Sequence, residues 1–318
     1  MTLRKAAEAL LFYPGDYKMI YDAVRELHDY YAPITGIAAG NIEDKDIFLP
    51  EGKAISPTKA AFCLLEGQRT AVFLRGIYKA ILQLQQQFPG EKLNILYAGC
   101  GPYATLLTPL TAMFRPDEVY FYLLDINDIS LTAVKKLYEA AGLTDYVADY
   151  ICADATTYKT PVPMHLMISE TMKEALVKEP QVAIMLNLVP QLPEGGLFIP
   201  QAITVSAKLL SARQETDRYM NPDVEPERIH LGDLYTIGQA SCERQQPVTI
   251  QIPDELKAGK DLYMLTDITV FDNEKLGIND CSLNIPQRVQ RVEGYEGKRL
   301  SFTYNMGEKP GFVHAWKN

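Results

Sequence analysis

Short apolar runs alternate with amphipathic segments between residues 93 and 200, and this alternation predicts a parallel β-sheet with crossover helices. The predicted strands cover residues 93–98, 119–124, 146–152, 165–169 and 197–199. A helix is predicted over residues 179–192, where apolar side chains at positions 182, 185, 186 and 189 recur at helical spacing. The region therefore has the pattern of an open α/β fold.

A long helical stretch is predicted upstream of this sheet. It starts at Ser56, a hydroxyl N-cap followed by proline at the first helical position, and ends before the Pro-Gly pair at 89–90. Its apolar positions 77, 80, 81 and 84 share one helix face. Residues 1–55 are expected to form one or two helices and a polar loop, because glycines and a proline interrupt their pattern.

After Pro200 the helical period gives way to β-rich segments separated by turn clusters, namely AITVSAKLL, PVTIQI, LYMLTDITVF and RLSFTYNM. The polar stretch 211–233 contains two prolines and is interpreted as an insertion or arm. We therefore expect an N-terminal helical segment (1–55), a Rossmann-like domain (56–200) and a mainly β domain (201–318).

Composition limits the kinds of partner. The 318 residues carry a formal net charge of −9, which gives no electrostatic support for a nucleic-acid surface. The five cysteines lack CxxC spacing and the four histidines lack ligand spacing, so neither disulfides nor a metal site is expected. With no signal-peptide pattern and no apolar run long enough for a bilayer, we expect a soluble cytoplasmic protein that contacts neither nucleic acid nor membrane.

A glycine pair follows the first predicted strand. Gly99 and Gly101 stand at a strand-to-helix turn, where glycine lets the backbone approach a nucleotide closely. A dinucleotide would require GxGxxG spacing for its pyrophosphate, and Pro102 and Tyr103 interrupt that spacing. S-adenosylmethionine (AdoMet) has no pyrophosphate, so it fits this turn better than NAD and is the expected cofactor.

Acidic residues end the next two predicted strands, at the same edge of the sheet. Asp125 can accept both hydroxyls of a ribose, and its alternative role is a helix N-cap beside Asn127. Asp154 follows the third strand and could receive the adenine amino group. One ligand-facing residue per strand end is the order expected for an AdoMet site.

Two glutamates mark the fourth strand end. Glu179 follows Glu170 by nine positions, so on one continuous helix the two carboxylates would point apart. Across a loop they could converge, and a carboxylate pair matches the planar donor fork of a guanidinium. The alternative is a solvated helix face on which these two glutamates and Glu174 accompany Lys173 and Lys178.

The chain resembles the protein arginine methyltransferases over roughly residues 60–200. Ser169-Glu170-Thr171-Met172 with Glu179 is similar to the two-glutamate loop of that family, and the stretch 66–73 is similar to its acidic-x-x-Arg-Thr-x-x-Tyr motif. The resemblance implies that Arg69 holds the methionyl carboxylate of AdoMet. The alternative role for Arg69 is a surface ion pair with Glu66.

The chain also departs from the family pattern. Tyr97 stands where an acid usually begins the glycine motif, Tyr103 replaces its last glycine, and Lys173-Glu174 replaces neutral residues of the loop. The sequence lacks a clear Thr-His-Trp motif, of which residues 314–316 are a loose echo. The resemblance implies a β-barrel-like second domain and a homodimer formed through an arm such as 211–233.

These patterns predict an AdoMet-dependent N-methyltransferase acting on a guanidino nitrogen of arginine, with Glu170 and Glu179 as catalytic residues. Free arginine or another small guanidine is preferred over protein arginine as the acceptor, because the departures affect protein recognition more than AdoMet binding. Two alternatives stay open. One is aminocarboxypropyl transfer of the nicotianamine-synthase type, whose cofactor loop also runs Gly-x-Gly-Pro, and the other is a catalytically inactive partner subunit with a methyltransferase fold.

Overall fold

The structure is a computed structural model that describes residues 2–38, 45–221, 223–256 and 259–317. The helices are α1 (Leu3–Phe12), α2 (Tyr17–Thr35), α3 (Pro57–Cys63), α4 (Gly67–Gln87), α5 (Asp128–Ala141), α6 (Gln181–Leu188) and α7 (Ala212–Met220). The strands of the first two-thirds are β1 (Ile47–Leu49), β2 (Gly52–Ala54), β3 (Leu93–Ala98), β4 (Val119–Asp125), β5 (Val147–Cys152), β6 (Leu166–Ser169) and β7 (Leu197–Ile199). The remaining strands are β8 (Ala202–Leu210), β9 (Ile229–Gly238), β10 (Val248–Gln251), β11 (Asp261–Phe271), β12 (Glu274–Leu276), β13 (Gln287–Arg291), β14 (Arg299–Asn305) and β15 (Gly311–Lys317).

A five-stranded parallel sheet forms the core of the first part, in the order β5-β4-β3-β6-β7. The five predicted strands are confirmed, and their bounds differ from the prediction by no more than one residue. The order reverses at β3, where the chain crosses from one half of the sheet to the other, so a ligand cleft is expected at the carboxyl edge there. The expected α/β fold with a Rossmann-like core is therefore confirmed.

The helices depart from the prediction in two places. The stretch after Ser56 is two helices rather than one, and the hydroxyl of Thr70 in α4 donates to the carbonyl of Leu64 in the break. The Ser56 side chain makes no capping hydrogen bond. The helix predicted over 179–192 is shorter, because α6 ends at Leu188 and continues as a 3₁₀ turn that contains Pro190.

The N-terminal segment contains two helices and a hairpin. Helices α1 and α2 pack on each other and on α4. Strands β1 and β2 pair antiparallel, where the sequence analysis expected a polar loop. These strands have three residues each, which is too short for an alternating pattern to stand out.

The last third of the chain is antiparallel. Strands β12, β11, β8 and β9 form one sheet with β13 also paired to β11, and β10, β14 and β15 form another, so the expected barrel-like β arrangement is confirmed. The predicted arm is partly wrong, since residues 229–233 belong to β9 and residues 212–220 form α7. Glu215 of α7 pairs with the guanidinium of Arg228 at 2.7 and 2.8 Å, which ties the helix to the start of β9.

Helix α4 lies between the parallel and antiparallel parts. It packs against β3 and β7 on one side and against β11 and β12 on the other. A Cβ at Gly76 would come within 2.5 Å of Val270 Cγ1, so glycine permits the close approach of helix and strand. Arg75 pairs with Glu274 at 2.8 Å beside this contact. Within the described part of the chain, no helix combines the length and apolarity needed to cross a bilayer.

Candidate functional site

A cavity of about 240 Å³ opens at the carboxyl edge of the parallel sheet. Helix α3, the β1–β2 hairpin and a turn of the antiparallel part complete its wall. All seven residues that the sequence analysis selected line this one cavity, namely Arg69, Gly99, Gly101, Asp125, Asp154, Glu170 and Glu179. The cavity therefore brings the expected cofactor and acceptor residues into one place.

The glycine turn after β3 is tied to the end of β4. Gly99 and Gly101 have φ of +77° and +65°, which residues with a Cβ rarely adopt. The backbone N–H of Gly101 donates to one carboxylate oxygen of Asp125, and that of Asn127 donates to the other, both at 2.8 Å. A Cβ at Gly99 would lie 2.4 Å from Thr171 Cγ2, so this glycine makes room for the loop after β6.

Asp125 is buried at the floor of the cavity. Its burial raises the pKa of the carboxyl, while the hydrogen bonds from the backbone at 127 and 101 oppose that rise. The N-cap of α5 is Asn127, whose side chain accepts a hydrogen bond from the Ile129 N–H. The alternative interpretation of Asp125 as a helix N-cap is therefore wrong. Each oxygen of Asp125 keeps a second lone pair for a ligand hydroxyl.

Asp154 lies two residues beyond β5, on the same edge. Its Oδ1 accepts hydrogen bonds from the N–H and the hydroxyl of Thr156, both at 2.8 Å. These bonds fix a turn that keeps the carboxyl group at the cavity wall. Asp125 and Asp154 therefore follow neighbouring strands and face the same space.

The two glutamates converge across a loop, residues 170–179, which we call the two-glutamate loop. Ala175, Leu176 and Lys178 within it have φ of +53°, +55° and +69°. The loop is held from outside, because the Tyr304 hydroxyl donates to the Leu176 carbonyl at 2.6 Å and the Lys178 N–H donates to the Pro310 carbonyl at 2.8 Å. The helix-face alternative is therefore wrong for Glu170 and Glu179.

The side chain of Glu170 is 7% exposed, and its carboxylate is only half paired. One carboxylate oxygen accepts from the guanidinium of Arg69, while Oε1 is buried without a hydrogen-bond partner among the described residues. Burial raises the pKa of Glu170, and the charge of Arg69 opposes the rise. A buried acceptor without a donor costs free energy, so the site favours a ligand that brings an N–H or a cation.

Glu179 is 8% exposed and lies in the same cavity. Burial, and next the charge of Glu170, raise its pKa to about 7, against the opposing charge of Arg69. Two carboxyl groups that disfavour each other's ionisation gain from a bound cation. The pair is therefore an anionic site poised near neutral pH.

Arg69 of α4 bridges two carboxylates. Its guanidinium pairs with Glu66 at 3.2 Å and with Glu170, so the ion pair to Glu66 is present but lies within the cavity wall. Glu66 also accepts from the N–H and the hydroxyl of Ser282, at 3.0 and 2.7 Å. A turn of the antiparallel part thereby reaches the site through Glu66.

The sequence analysis missed several lining residues. Leu49 and Lys53 come from the β1–β2 hairpin, and the Lys53 N–H donates to the Lys178 carbonyl at 2.9 Å. Asp46 holds this hairpin, accepting from Lys53 Nζ at 2.7 Å and from Lys59 Nζ at 2.8 Å. Burial acts to raise the pKa of Asp46, but the two lysines lower it to about 2. The sequence signal that could have indicated this hairpin was a glycine, Gly52, next to a charged residue in a short polar stretch.

Other residues singled out in the sequence lie elsewhere. His314 and Trp316 belong to β15 and are absent from the described lining of the cavity, and Trp316 stacks on Tyr295 at 4.3 Å. The loose echo of the Thr-His-Trp motif therefore has no counterpart in the site. Tyr103 is buried, its hydroxyl donates to the Ile37 carbonyl, and its ring packs on Tyr31, so it serves the core.

Tyr97, in contrast, lines the cavity beneath the two-glutamate loop. Burial raises the pKa of its hydroxyl, and the charge of Glu170 adds to the rise, so the group stays neutral. Across the described ranges, no cluster of three or more His, Cys, Asp or Glu side chains has a metal-binding arrangement.

Comparisons with known proteins found likenesses among solved structures and none at the level of sequence. No protein-family model matches the chain, and no curated protein matches its sequence. Among solved structures, the chain is similar to the Trypanosoma brucei PRMT1 enzyme–prozyme heterotetrameric complex with AdoHcy. The two share 13% sequence identity over 75% of this chain and 84% of that chain, with a TM-score of 0.46.

Proposed function

We propose that this protein is an AdoMet-dependent N-methyltransferase that acts on a guanidino nitrogen of arginine. The observation that carries the proposal is the pair of Glu170 and Glu179, with side chains largely shielded from solvent, in one cavity with the glycine turn and the two strand-end aspartates. The unpaired Oε1 of Glu170 supports it, because a guanidinium would supply the missing donor.

The lining residues fit AdoMet. Gly99 and Gly101 form a turn without side chains at the switch point of the sheet, where nucleotide ligands gather. Asp125 and Asp154 would accept the ribose hydroxyls and the adenine amino group, and Arg69 would hold the methionyl carboxylate. When bound, AdoMet supplies an electrophilic methyl group on a sulfonium.

The acceptor side would prepare the nucleophile. A guanidinium nitrogen reacts poorly while its lone pair is delocalised, and Glu170 and Glu179 would draw positive charge to the nitrogens that they contact. The remaining nitrogen would then be richer in electron density, which suits it to receive the methyl group that AdoMet would supply. Glu179, whose pKa is about 7, can then take the proton that the new methylated nitrogen loses.

The cavity favours a small acceptor. Its walls include the β1–β2 hairpin, which packs on the two-glutamate loop through the Lys53 N–H, so the glutamates lie beneath a cover. Free arginine or another small guanidine would enter such a cavity more readily than an arginine side chain on a folded protein. The preference for free arginine is part of the proposal.

Mass spectrometry on the purified protein with AdoMet tests this proposal. Free L-arginine and an arginine-rich peptide are supplied separately, and both the acceptor and the nucleoside product are measured. Methylarginine with S-adenosylhomocysteine is the expected result. Methylthioadenosine would instead indicate aminocarboxypropyl transfer, and no product with either acceptor together with no AdoMet binding would indicate an inactive subunit.

A further inference from the structure

The cavity wall carries an excess of acidic groups. Five acidic side chains line it against three basic ones, an excess of two formal negative charges. AdoMet and free arginine each carry one net positive charge, so the two ligands together would neutralise the excess negative charge of the wall. Each also carries a carboxylate, and a carboxylate entering an acidic cavity needs a cationic partner.

The three basic side chains differ in how strongly they already pair with carboxylates of the protein. Arg69 is 8% exposed and bridges two glutamates. Lys53 is 25% exposed and pairs with Asp46 at 2.7 Å, in the network that holds the hairpin. Lys53 cannot leave Asp46 without loosening the hairpin. The N–H groups of Arg69 that its two glutamates leave free are assigned to the methionyl carboxylate of AdoMet in the proposed function.

Lys173 is the basic side chain whose ion-pair partner a ligand carboxylate can replace. Its ammonium lies 3.3 Å from the carboxylate of its neighbour Glu174, and its side chain is 46% exposed. An exposed ion pair between adjacent residues adds little stability, so a ligand carboxylate can replace it at small cost. Lys173 is also close enough to Glu179 for its charge to lower the pKa of that carboxyl.

Resting on the proposed function, we infer that Lys173 binds the α-carboxylate of the acceptor and makes the enzyme selective for free arginine over guanidines that lack this carboxylate. The two-glutamate loop then contacts both ends of one molecule, with Glu170 and Glu179 at the guanidinium and Lys173 at the carboxylate. An arginine within a peptide has its carboxyl group in an amide bond and cannot make this contact.

The test compares L-arginine with L-argininamide, which differs mainly by the loss of the negative charge. The wild-type kcat/KM is expected to favour L-arginine by about tenfold to a hundredfold, the range of a charged hydrogen bond. In Lys173→Met the ratio should fall to near one through a higher KM for L-arginine. Lys173→Arg should restore most of the preference, because it restores the charge.

Lys178→Met is the matched control, since Lys178 is an exposed lysine of the same loop and is absent from the described cavity lining. It should keep the wild-type ratio. Calorimetric titration of L-arginine into the complex with S-adenosylhomocysteine gives a second readout. There Lys173→Met should weaken binding by the same factor, while the affinity for S-adenosylhomocysteine stays unchanged.

The possible results separate the inference from the function on which it rests. Equal use of both acceptors by the wild-type enzyme, or an unchanged ratio in Lys173→Met, would overturn the role of Lys173 and leave the methyltransferase proposal intact. No methylated product from either acceptor, in a protein that binds AdoMet, would overturn guanidine methylation and this inference together.

Discussion

The two sides of the cavity are built in different ways. The strand-end side, comprising Gly99, Gly101, Asp125 and Asp154, consists of residues that lie at or just after the end of a parallel strand. Hydrogen bonds of 2.8 Å that involve backbone N–H groups fix them. The loop side, comprising Lys53, Arg69, Glu170, Glu179 and Ser282, draws on four separate segments of the chain. Hydrogen bonds and ion pairs between side chains hold much of the loop side in place.

This difference indicates which ligand each side suits. The strand-end side is set by the sheet itself, so its geometry is expected to change little when a ligand binds. The loop side buries carboxylates whose charges are incompletely compensated, so it gains most from a cationic ligand. In our proposal, the first side binds the nucleoside and the second prepares the acceptor.

The largest expected effect comes from removing one charge on the loop side. Glu170→Gln should lower kcat by about a hundredfold to ten-thousandfold, because the guanidinium loses a charged partner at the reacting centre. The affinity for AdoMet should barely change. Steady-state kinetics and calorimetry measure both, with Glu174→Gln as the control in the same loop, outside the described lining. Wild-type activity in Glu170→Gln would remove its acceptor role.

A second test uses the ionisation of Glu179. Its pKa in the folded protein, about 7, is above the value of 4.5 for an unperturbed glutamate. The folded state therefore binds the extra proton between these values, and the contribution of Glu179 to stability falls as pH rises through this window. The full loss is about 3 kcal/mol above pH 7.

Denaturant unfolding between pH 4.5 and 8 measures this effect, as the difference between the wild type and Glu179→Gln. The glutamine variant should gain stability relative to the wild type as pH rises. A difference that stays constant across the window would contradict the buried, anionic character of this side. The wild-type kcat/KM should rise through pH 7 as the carboxylate ionises.

A third test examines the residue that links the two sides. Arg69→Ala should weaken AdoMet binding by about tenfold to a hundredfold, since a charged hydrogen bond to the methionyl carboxylate is lost. The loss of a buried partner also leaves Glu170 uncompensated and should lower Tm. Gln83→Ala, on an exposed position of the same helix, is the control. Unchanged calorimetry for Arg69→Ala would exclude it from the AdoMet site.

The smallest expected effect concerns the hairpin over the loop side. Gly52 has φ of +134°, and a Cβ there would lie 3.1 Å from the backbone of residues 178–180. Gly52→Ala should therefore destabilise the fold by about 1–3 kcal/mol and raise the acceptor KM, with AdoMet affinity unchanged. Gly15→Ala, where no atom lies within 4 Å of the added Cβ, is the control. Equal stability of the two variants would contradict a tight contact between hairpin and loop.

The sequence predicted the strand-end side well for a local reason. Each of its residues lies at, or within three residues of, the end of an apolar strand. Parallel strands bring their carboxyl ends to one edge, so position along the chain determines position in space. The same logic located β3 to β7 within one residue. It also placed Asp125 and Asp154 at the cavity without any contact information.

The loop side was only partly predictable. Both glutamates could be identified from the sequence. Their convergence depends on left-handed φ values at Ala175 and Leu176, and the sequence has no glycine at these positions to predict such a turn. Lys53 and Ser282 reach the cavity through tertiary contacts that no local pattern encodes. The break between α3 and α4 was missed for a similar reason, since the hydroxyl of Thr70 competes there for a backbone carbonyl.

A crystal structure of the protein with S-adenosylhomocysteine and L-arginine would show whether the two sides of the cavity bind these two ligands. We expect the nucleoside against Gly101 and Asp125, with the guanidinium between Glu170 and Glu179. Density for the nucleoside on the loop side, or for arginine outside this cavity, would contradict the assignment of the two sides to two ligands.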